Sequence, residues 1–368
     1  MNAPRRRRVL HVFATFGAGG PQVRMTQLVP RMGESWQHAV LALDGDLAAQ
    51  AQLPAGAACE LLPTPARRGF LGSMRAFATV LRERDPDLLL TYNWGAIECV
   101  AAARRLGLRS HVHHEDGFGP GEQERRHRRR NWLRRAVLGR AAAVVVPSTR
   151  LLAIATREWR LGPRALHLPN GVDCARFRPP AAPRSADDVP VIGSVGGLRA
   201  EKDHATLLAA VAAMRQTARV VLVGGGPEQQ RLRRQATDLG IAARTTFAGA
   251  VADSAPCYRG FDVFALSSRT EQMPLSLLEA MASGLPVAST DVGDVAVVLP
   301  PECRGALVRP GDAPALARVL DALVADRGRQ QREGRQNRAH CAATYDLATC
   351  LDRFVAVYER AARDGARG

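Results

Sequence analysis

Ser267-Ser268-Arg269-Thr270-Glu271-Gln272-Met273-Pro274-Leu275-Ser276-Leu277-Leu278-Glu279-Ala280-Met281-Ala282-Ser283-Gly284-Leu285-Pro286-Val287 holds a strand end, a polar loop, a helix and the start of another strand. The apolar run Val263 to Leu266 leads into it as a strand. Proline has no N–H to leave unpaired, so Pro274 suits the first turn of a helix. Gly284, followed by Pro286, stops that helix. Glu279 then falls in its second turn, on a helix otherwise apolar at Leu275, Leu278 and Met281. A carboxylate there is either a solvent-facing filler or is aimed into a cleft. Short apolar strands alternating with helices form a parallel sheet covered on both faces.

The same rhythm extends outward. Upstream lie the strand Val191 to Val195, a helix from about His204, and the strand Val220 to Val223 before Gly224-Gly225-Gly226-Pro227. Downstream, helices dominate beyond Ala313. The proline-rich segment Phe177 to Pro190 interrupts the pattern as an interdomain linker would. Before it, Val9 to Phe13 runs into Gly17-Ala18-Gly19-Gly20 and a helix from Gln22 to Met32. Further strands are expected at Ala39 to Leu43, Leu88 to Tyr92, Ser110 to His113 and Ala143 to Val146. The expectation is α/β: two doubly wound, Rossmann-like domains, residues 1–178 and 179–344. Ligands should bind where strand C-termini face the cleft between the two parallel sheets.

Composition excludes several classes. The 368 residues carry a net charge of +16, which suits anionic partners. Aromatics are only 5% and never interleave with basic residues, so nucleic acid is not an expected partner. Seven scattered cysteines without a CxxC pair point to a reducing compartment and away from a zinc cluster or disulfide framework. No apolar run approaches the length of a spanning helix, and Arg5 to Arg8 precede only a short apolar strand. The chain reads as cytoplasmic, with room for peripheral contact at the inner membrane face.

Of the 51 Lys and Arg side chains, Lys202 is the one lysine. Lysine is a compact point charge with rotatable donors, whereas arginine is a planar fork. An ammonium at a loop mouth suits a phosphate oxygen. Carboxylates at Glu271 and Glu279 accept from sugar hydroxyls, and a helix N-terminus near Pro274 favours diphosphate.

Glu271 and Glu279, within EQMPLSLLEAMASGLPVASTDVGD, resemble the E-x7-E signature of retaining glycosyltransferases of family 4, which have the GT-B fold. Gly19-Gly20, Pro169-Asn170-Gly171-Val172-Asp173, the Lys202 stretch, Val223 to Pro227 and the late helix Tyr345 to Ala361 agree in order. The resemblance implies a donor site of Gly19, Gly20, Arg199, Lys202, Glu271, Met273, Pro274, Leu275, Ser276 and Glu279. Within it, Glu279 would bind ribose, Glu271 the donor sugar, and Lys202 the diphosphate leaving group. Lys202, Glu271 and Arg199 are its catalytic candidates. The helix 345–368 would pack back on the first domain.

The implied reaction moves a UDP- or GDP-linked sugar to a hydroxyl of a saccharide or lipid-linked acceptor, in cell-surface or exopolysaccharide biosynthesis. Attack on the same face, with the leaving phosphate as base, would retain configuration; no metal and no cofactor are expected. Two departures stand out. Relatives often carry arginine where this chain has Gly197, with Arg199 nearby. They also often have Gly-Phe-Gly where it has Gln272-Met273-Pro274.

Three histidines and two acids cluster in His111-Val112-His113-His114-Glu115-Asp116, but alternation sends His113 and His114 to opposite strand faces, which disfavours a metal. The resemblance makes His114, Glu115 and Asp116 acceptor-side candidates, equally readable as structural. Tyr92 and Trp94, at another strand end, offer an aromatic face or ordinary packing. Residues 125–138 form a basic helix with Trp132 and Leu133, either solvated or resting on anionic lipid. Gly17-x-Gly19-Gly20 lacks the regular dinucleotide spacing, which leaves a dehydrogenase weakly supported. A GT-B nucleotide-sugar epimerase and a non-catalytic basic membrane- or polyanion-binding protein are the remaining alternatives.

Overall fold

The computed structural model describes residues 5–17, 19–54, 56–65, 69–118, 127–182, 184–185 and 187–366. Two compact units divide the chain: residues 1–169 with 349–368, and residues 170–348. The first holds a seven-stranded sheet in the order β3-β2-β1-β4-β5-β6-β7. Its strands are β1 Arg7–Phe13, β2 Trp36–Ala42, β3 Cys59–Leu62, β4 Leu88–Tyr92, β5 His111–His114, β6 Ala143–Val146 and β7 Ala165–His167. The second holds six strands in the order β10-β9-β8-β11-β12-β13. These are β8 Val191–Val195, β9 Arg219–Val223, β10 Thr245–Gly249, β11 Val263–Leu266, β12 Val287–Thr290 and β13 Leu307–Val308. Every strand pair is parallel. Both units are doubly wound α/β, as in the GT-B class.

Strand order reverses between β1 and β4 in the first unit and between β8 and β11 in the second. Crossover connections leave opposite faces of the sheet on the two sides of such a point and open a crevice at the strand C-termini. Lys202 follows β8 and Glu271 follows β11, so the reversal in the second unit carries both. Interior strands β4, β6, β8 and β11 run as the apolar pattern predicts, because burial on both faces demands apolar side chains at every position. The edge strands β3, β7, β10 and β13 are only half covered; β10 alternates intermediate and exposed residues. Of these only the interior kind is conspicuous in sequence, and no edge strand was anticipated.

Two expectations need correction. The boundary falls at Pro169/Asn170 rather than 178/179, because Asn170 and Val172 bond within the second unit: the Val172 N–H donates to the Tyr345 carbonyl at 2.9 Å. The supposed linker from Phe177 to Pro190 therefore lies inside that unit, and Phe177 is a core residue. At the other end, Thr349–Gly368 groups with the first unit. There Arg7 pairs with Glu359 at 2.6 Å, and Tyr358 is fully buried.

Candidate donor-binding site

In the second unit, four strand C-termini bring their loops together. The loop after β8 is laced to that after β9: Gly196 N–H donates to the Val223 carbonyl and Leu198 N–H to the Gly225 carbonyl, both at 2.9 Å. A Cβ on Gly224 would lie 2.0 Å from the Gly196 carbonyl oxygen, so only glycine permits this approach. The loop after β12 passes under the one after β11. Gly293, at φ +54°, would place a Cβ 2.4 Å from the Glu271 carbonyl oxygen, and the Asp294 N–H donates to the Gln272 carbonyl at 2.9 Å. Backbone bonds thus hold Glu271 in place before its side chain does anything.

The Lys202 Nζ donates to Glu271 Oε1 at 2.5 Å, and the Ser268 hydroxyl donates to the same oxygen at 2.8 Å. Lys202 and Glu271 keep 19% and 11% side-chain exposure, which leaves the pair reachable. Behind it, Ser267 donates to the Lys202 carbonyl at 3.1 Å, while buried Asp203 binds Arg269 at 3.0 Å and caps the helix His204–Ala213. Arg199 lies beside this group, more than half exposed, with its Nε 2.9 Å from Glu201.

The helix Leu275–Ala282 starts directly after Pro274, which is its N-cap rather than a residue of the first turn. The amides of Leu275 and Ser276 precede the first intrahelical acceptor. Met273 is buried, and its side chain packs in the core. Its carbonyl accepts from the Asn170 side-chain amide at 3.1 Å. One turn into the helix, Glu279 accepts from the Tyr258 hydroxyl at 2.6 Å. Burial pushes its carboxyl above the usual range, against hydrogen bonds from Tyr258 and Ser254 and the nearby Arg176 guanidinium. Tyr258, Ser268 and Ser254 carried no signal in the sequence, because each acts through a neighbour from another element or a loop.

Gly19 and Gly20 lie in the first unit, where Gly19 caps and Gly20 begins the helix Gly20–Met32; Ala18 is outside the described residues. The acceptor-side candidates of this unit are mostly internal. Tyr92 is buried and stacked on Phe13, with ring centroids 3.8 Å apart. Glu115 is fully buried against Arg134 at 2.9 Å, so Arg134 is no surface charge. Asp116 pairs with Arg24 at 2.7 Å. Trp94 is half-buried, with Arg130 and Arg134 over its ring.

The three histidines alternate as expected: the Thr91 hydroxyl bonds His111 and His113, both at 2.8 Å, while His114 meets Tyr358. The Thr91 carbonyl can only accept, which places the His114 proton on Nδ1 and makes Nε2 the acceptor for Tyr358 at 2.8 Å. Tyr358 accepts from Tyr92, Tyr92 from His11, and His11 from His38. The relay thus links three histidines and two tyrosines, and burial keeps His11, His38 and His114 neutral. Among the described residues no cluster of three His, Cys, Asp or Glu side chains is placed to hold a metal ion.

Comparison with known proteins agrees with this geometry. Residues 18–176 match the family described as Glycosyltransferase Family 4, and residues 189–326 match Glycosyl transferases group 1. The lipopolysaccharide core biosynthesis glycosyltransferase LpsE of Rhizobium meliloti is 35% identical over 161 residues, 44% of this chain and 45% of LpsE. A GDP-mannose-dependent alpha-(1-6)-phosphatidylinositol monomannoside mannosyltransferase of Mycobacterium tuberculosis is 34% identical over 194 residues, 47% of this chain and 50% of that enzyme. The chain thus spans about half the length of these curated relatives. Among solved structures, Anabaena HepE in complex with UDP-glucose superposes with a TM-score of 0.81 at 19% identity, covering 96% of this chain and 99% of HepE.

Proposed function

The chain belongs to the group 1, family 4 glycosyltransferases, and on that premise we propose that it transfers a sugar, with retention, from a UDP- or GDP-linked donor to a hydroxyl of a saccharide or lipid-linked acceptor. The observation that carries the reading is the Lys202–Glu271 contact across the strand reversal, with Glu279 one turn into the helix that follows. In transfer, the bond between the anomeric carbon and the diphosphate oxygen breaks and charge grows on the leaving group. Lys202, Arg199 and the amides of Leu275 and Ser276 would meet that charge, and preorganised donors of this kind are worth roughly 10²–10³ in rate each. Glu271, released from Lys202 as phosphate takes the ammonium, would accept from donor-sugar hydroxyls. Glu279 would accept from ribose, with Tyr258 holding its second position. An acceptor hydroxyl would then attack the same face and pass its proton to the departing phosphate.

A thermal-shift panel of UDP, GDP, ADP and their sugars tests the reading. One nucleotide should raise the melting temperature and thereby name the donor base; no response to any of them overturns the proposal. Lipopolysaccharide and phosphatidylinositol mannoside synthesis, named for two relatives, support an acceptor at a cell-surface glycan or lipid-linked glycan. A nucleotide-sugar epimerase would instead turn over donor with no acceptor present.

The helix Arg128–Leu138 favours work at a membrane surface; Arg125 and Arg126 lie outside the described residues. Trp132 is 70% exposed, and Arg128, Arg129 and Arg135 are exposed beside it. An amphipathic ring among cations suits an anionic headgroup layer. Among the described residues no helix is long and apolar enough to cross a membrane.

A further inference from the structure

Cys174 and Cys341 are far apart in the chain and adjacent in the second unit. Hydrogen bonds bracket them on both sides. The Val172 N–H donates to the Tyr345 carbonyl at 2.9 Å, and the Tyr345 N–H donates to the Cys341 carbonyl at 2.8 Å. Beyond Cys174, Arg338 donates to the Cys174 carbonyl at 3.4 Å and to the Phe177 carbonyl at 3.2 Å. Positions 338, 341 and 345 share one face of the helix Arg327–Thr344 and its C-cap, so the segment 172–177 runs along that face. Cys174 packs against the core cluster that holds Cys341; the Cys341 S–H donates to the Leu278 carbonyl at 3.6 Å and can turn to the Cys174 sulfur when that sulfur ionises. Cys174 is half-buried and Cys341 buried.

We propose that Cys174 and Cys341 are an oxidation site that closes to an intramolecular disulfide in exchange with a low-molecular-weight disulfide. Cys174 attacks first. The hydrogen bond from Cys341 lowers its thiol below the ordinary range, with the Arg338 guanidinium assisting and burial opposing. Burial pushes Cys59 and Cys303 up to about 11, and Cys99 and Cys257 also move up, which leaves them as thiols. The Cys174 thiolate forms a mixed disulfide and expels one small thiolate. Cys341, giving up its proton, then attacks the Cys174 sulfur and expels the second. The protein loses two hydrogens and two electrons, and the external disulfide becomes two thiols. The same segment begins with Asn170, which bonds the Met273 carbonyl, so the cross-link ties the loop beneath the donor site to the helix Arg327–Thr344.

The test equilibrates the whole protein with reduced and oxidised glutathione and reads intact mass and non-reduced peptides. Expected is the loss of two hydrogens, one linked peptide pair containing Cys174 and Cys341, and full reversal by dithiothreitol. Cys341→Ser should stop at a glutathione adduct on Cys174, and Cys174→Ser should leave Cys341 unmodified. Linkage through other cysteines, a wild-type chain that stops at the mixed disulfide, or an unchanged mass overturns the proposal. The readout is independent of transferase activity.

Discussion

Arg199 occupies the space that a side chain on Gly197 would need: a Cβ built on Gly197 would lie 3.3 Å from Arg199 Nε. The family resemblance implies an arginine where Gly197 stands. Under the proposed function, Arg199 would take the phosphate-facing role that the resemblance gives to an arginine at position 197.

Arg199→Ala should lower kcat/KM for transfer by roughly 10- to 100-fold, the scale of one hydrogen bond to a charged group. Adding Gly197→Arg to Arg199→Ala should recover most of it, because the vacated space admits the new side chain. A double variant as slow as the single one would show that this guanidinium is not the counter-charge. Steady-state kinetics with saturating acceptor reads the difference.

Lys202→Ala should reduce turnover by about 10²–10³-fold, as loss of one preorganised donor to developing charge does. Its melting temperature should stay close to that of the wild type, since the residue is partly exposed and Ser268 still donates to Glu271. Lys202→Arg should remain impaired, because a broad fork does not fit where a compact ammonium sits 2.5 Å from Glu271. Transfer at the wild-type rate in either variant would remove Lys202 from the mechanism.

Glu279 separates stability from function. Its carboxyl is raised in the fold by burial, so its contribution is favourable below the unfolded value near 4.5 and is lost as pH rises through the higher folded value. At neutral pH, Glu279→Gln should raise the melting temperature of the ligand-free protein, because it removes a carboxylate whose ionisation burial disfavours. The same variant should lose the nucleotide-induced shift. Unchanged nucleotide binding would argue against ribose recognition at this side chain.

Neutral His38 makes the first unit acid-sensitive. Its folded pKa is lowered to about 4 from 6.5, because burial disfavours the charged ring. The stability it contributes is present above the unfolded value near 6.5 and lost as pH falls toward 4, on the order of 3 kcal/mol in all. His11, hydrogen-bonded to it at 3.0 Å and lowered further, adds to the same slope. Urea denaturation between pH 7 and pH 4.5 should show the decline, and His38→Gln should flatten it.

The exposed face of the helix Arg128–Leu138 should bind anionic vesicles. Replacing Arg128, Arg129 and Arg135 with serine should weaken binding to phosphatidylglycerol vesicles about a hundredfold, at roughly 1 kcal/mol per basic residue. Trp132→Ala should weaken it further, while the nucleotide thermal shift stays unchanged. Equal binding of wild type and variant in co-sedimentation would leave the helix as a solvated face.

Legibility followed burial. Strands covered on both faces, such as Leu88–Tyr92 and Val263–Leu266, announce themselves through unbroken apolar runs. Edge strands such as Thr245–Gly249 do not, because half their side chains meet water. Lys202 stood out through composition, and Glu271 and Glu279 through the family resemblance of the stretch that holds them. Their partners did not: Ser268 meets Glu271 only through the fold of their shared loop, and Tyr258 meets Glu279 only because another element brings the carboxylate to it. Charge misled at Arg134, which sits in a basic run yet is buried against Glu115.

What the amino-acid sequence determines alone is therefore local and periodic: two βα series, the helix that begins after Pro274, and the order of motifs that places the chain in its family. Hydrophobic periodicity and turn chemistry act over a few residues, so a linear reading captures them. The pairing of Lys202 with Glu271, of Glu279 with Tyr258 and of Cys174 with Cys341 was decided only by the tertiary structure. Each pair joins side chains from different elements. Its distance depends on strand order and helix packing, which no short stretch of sequence encodes.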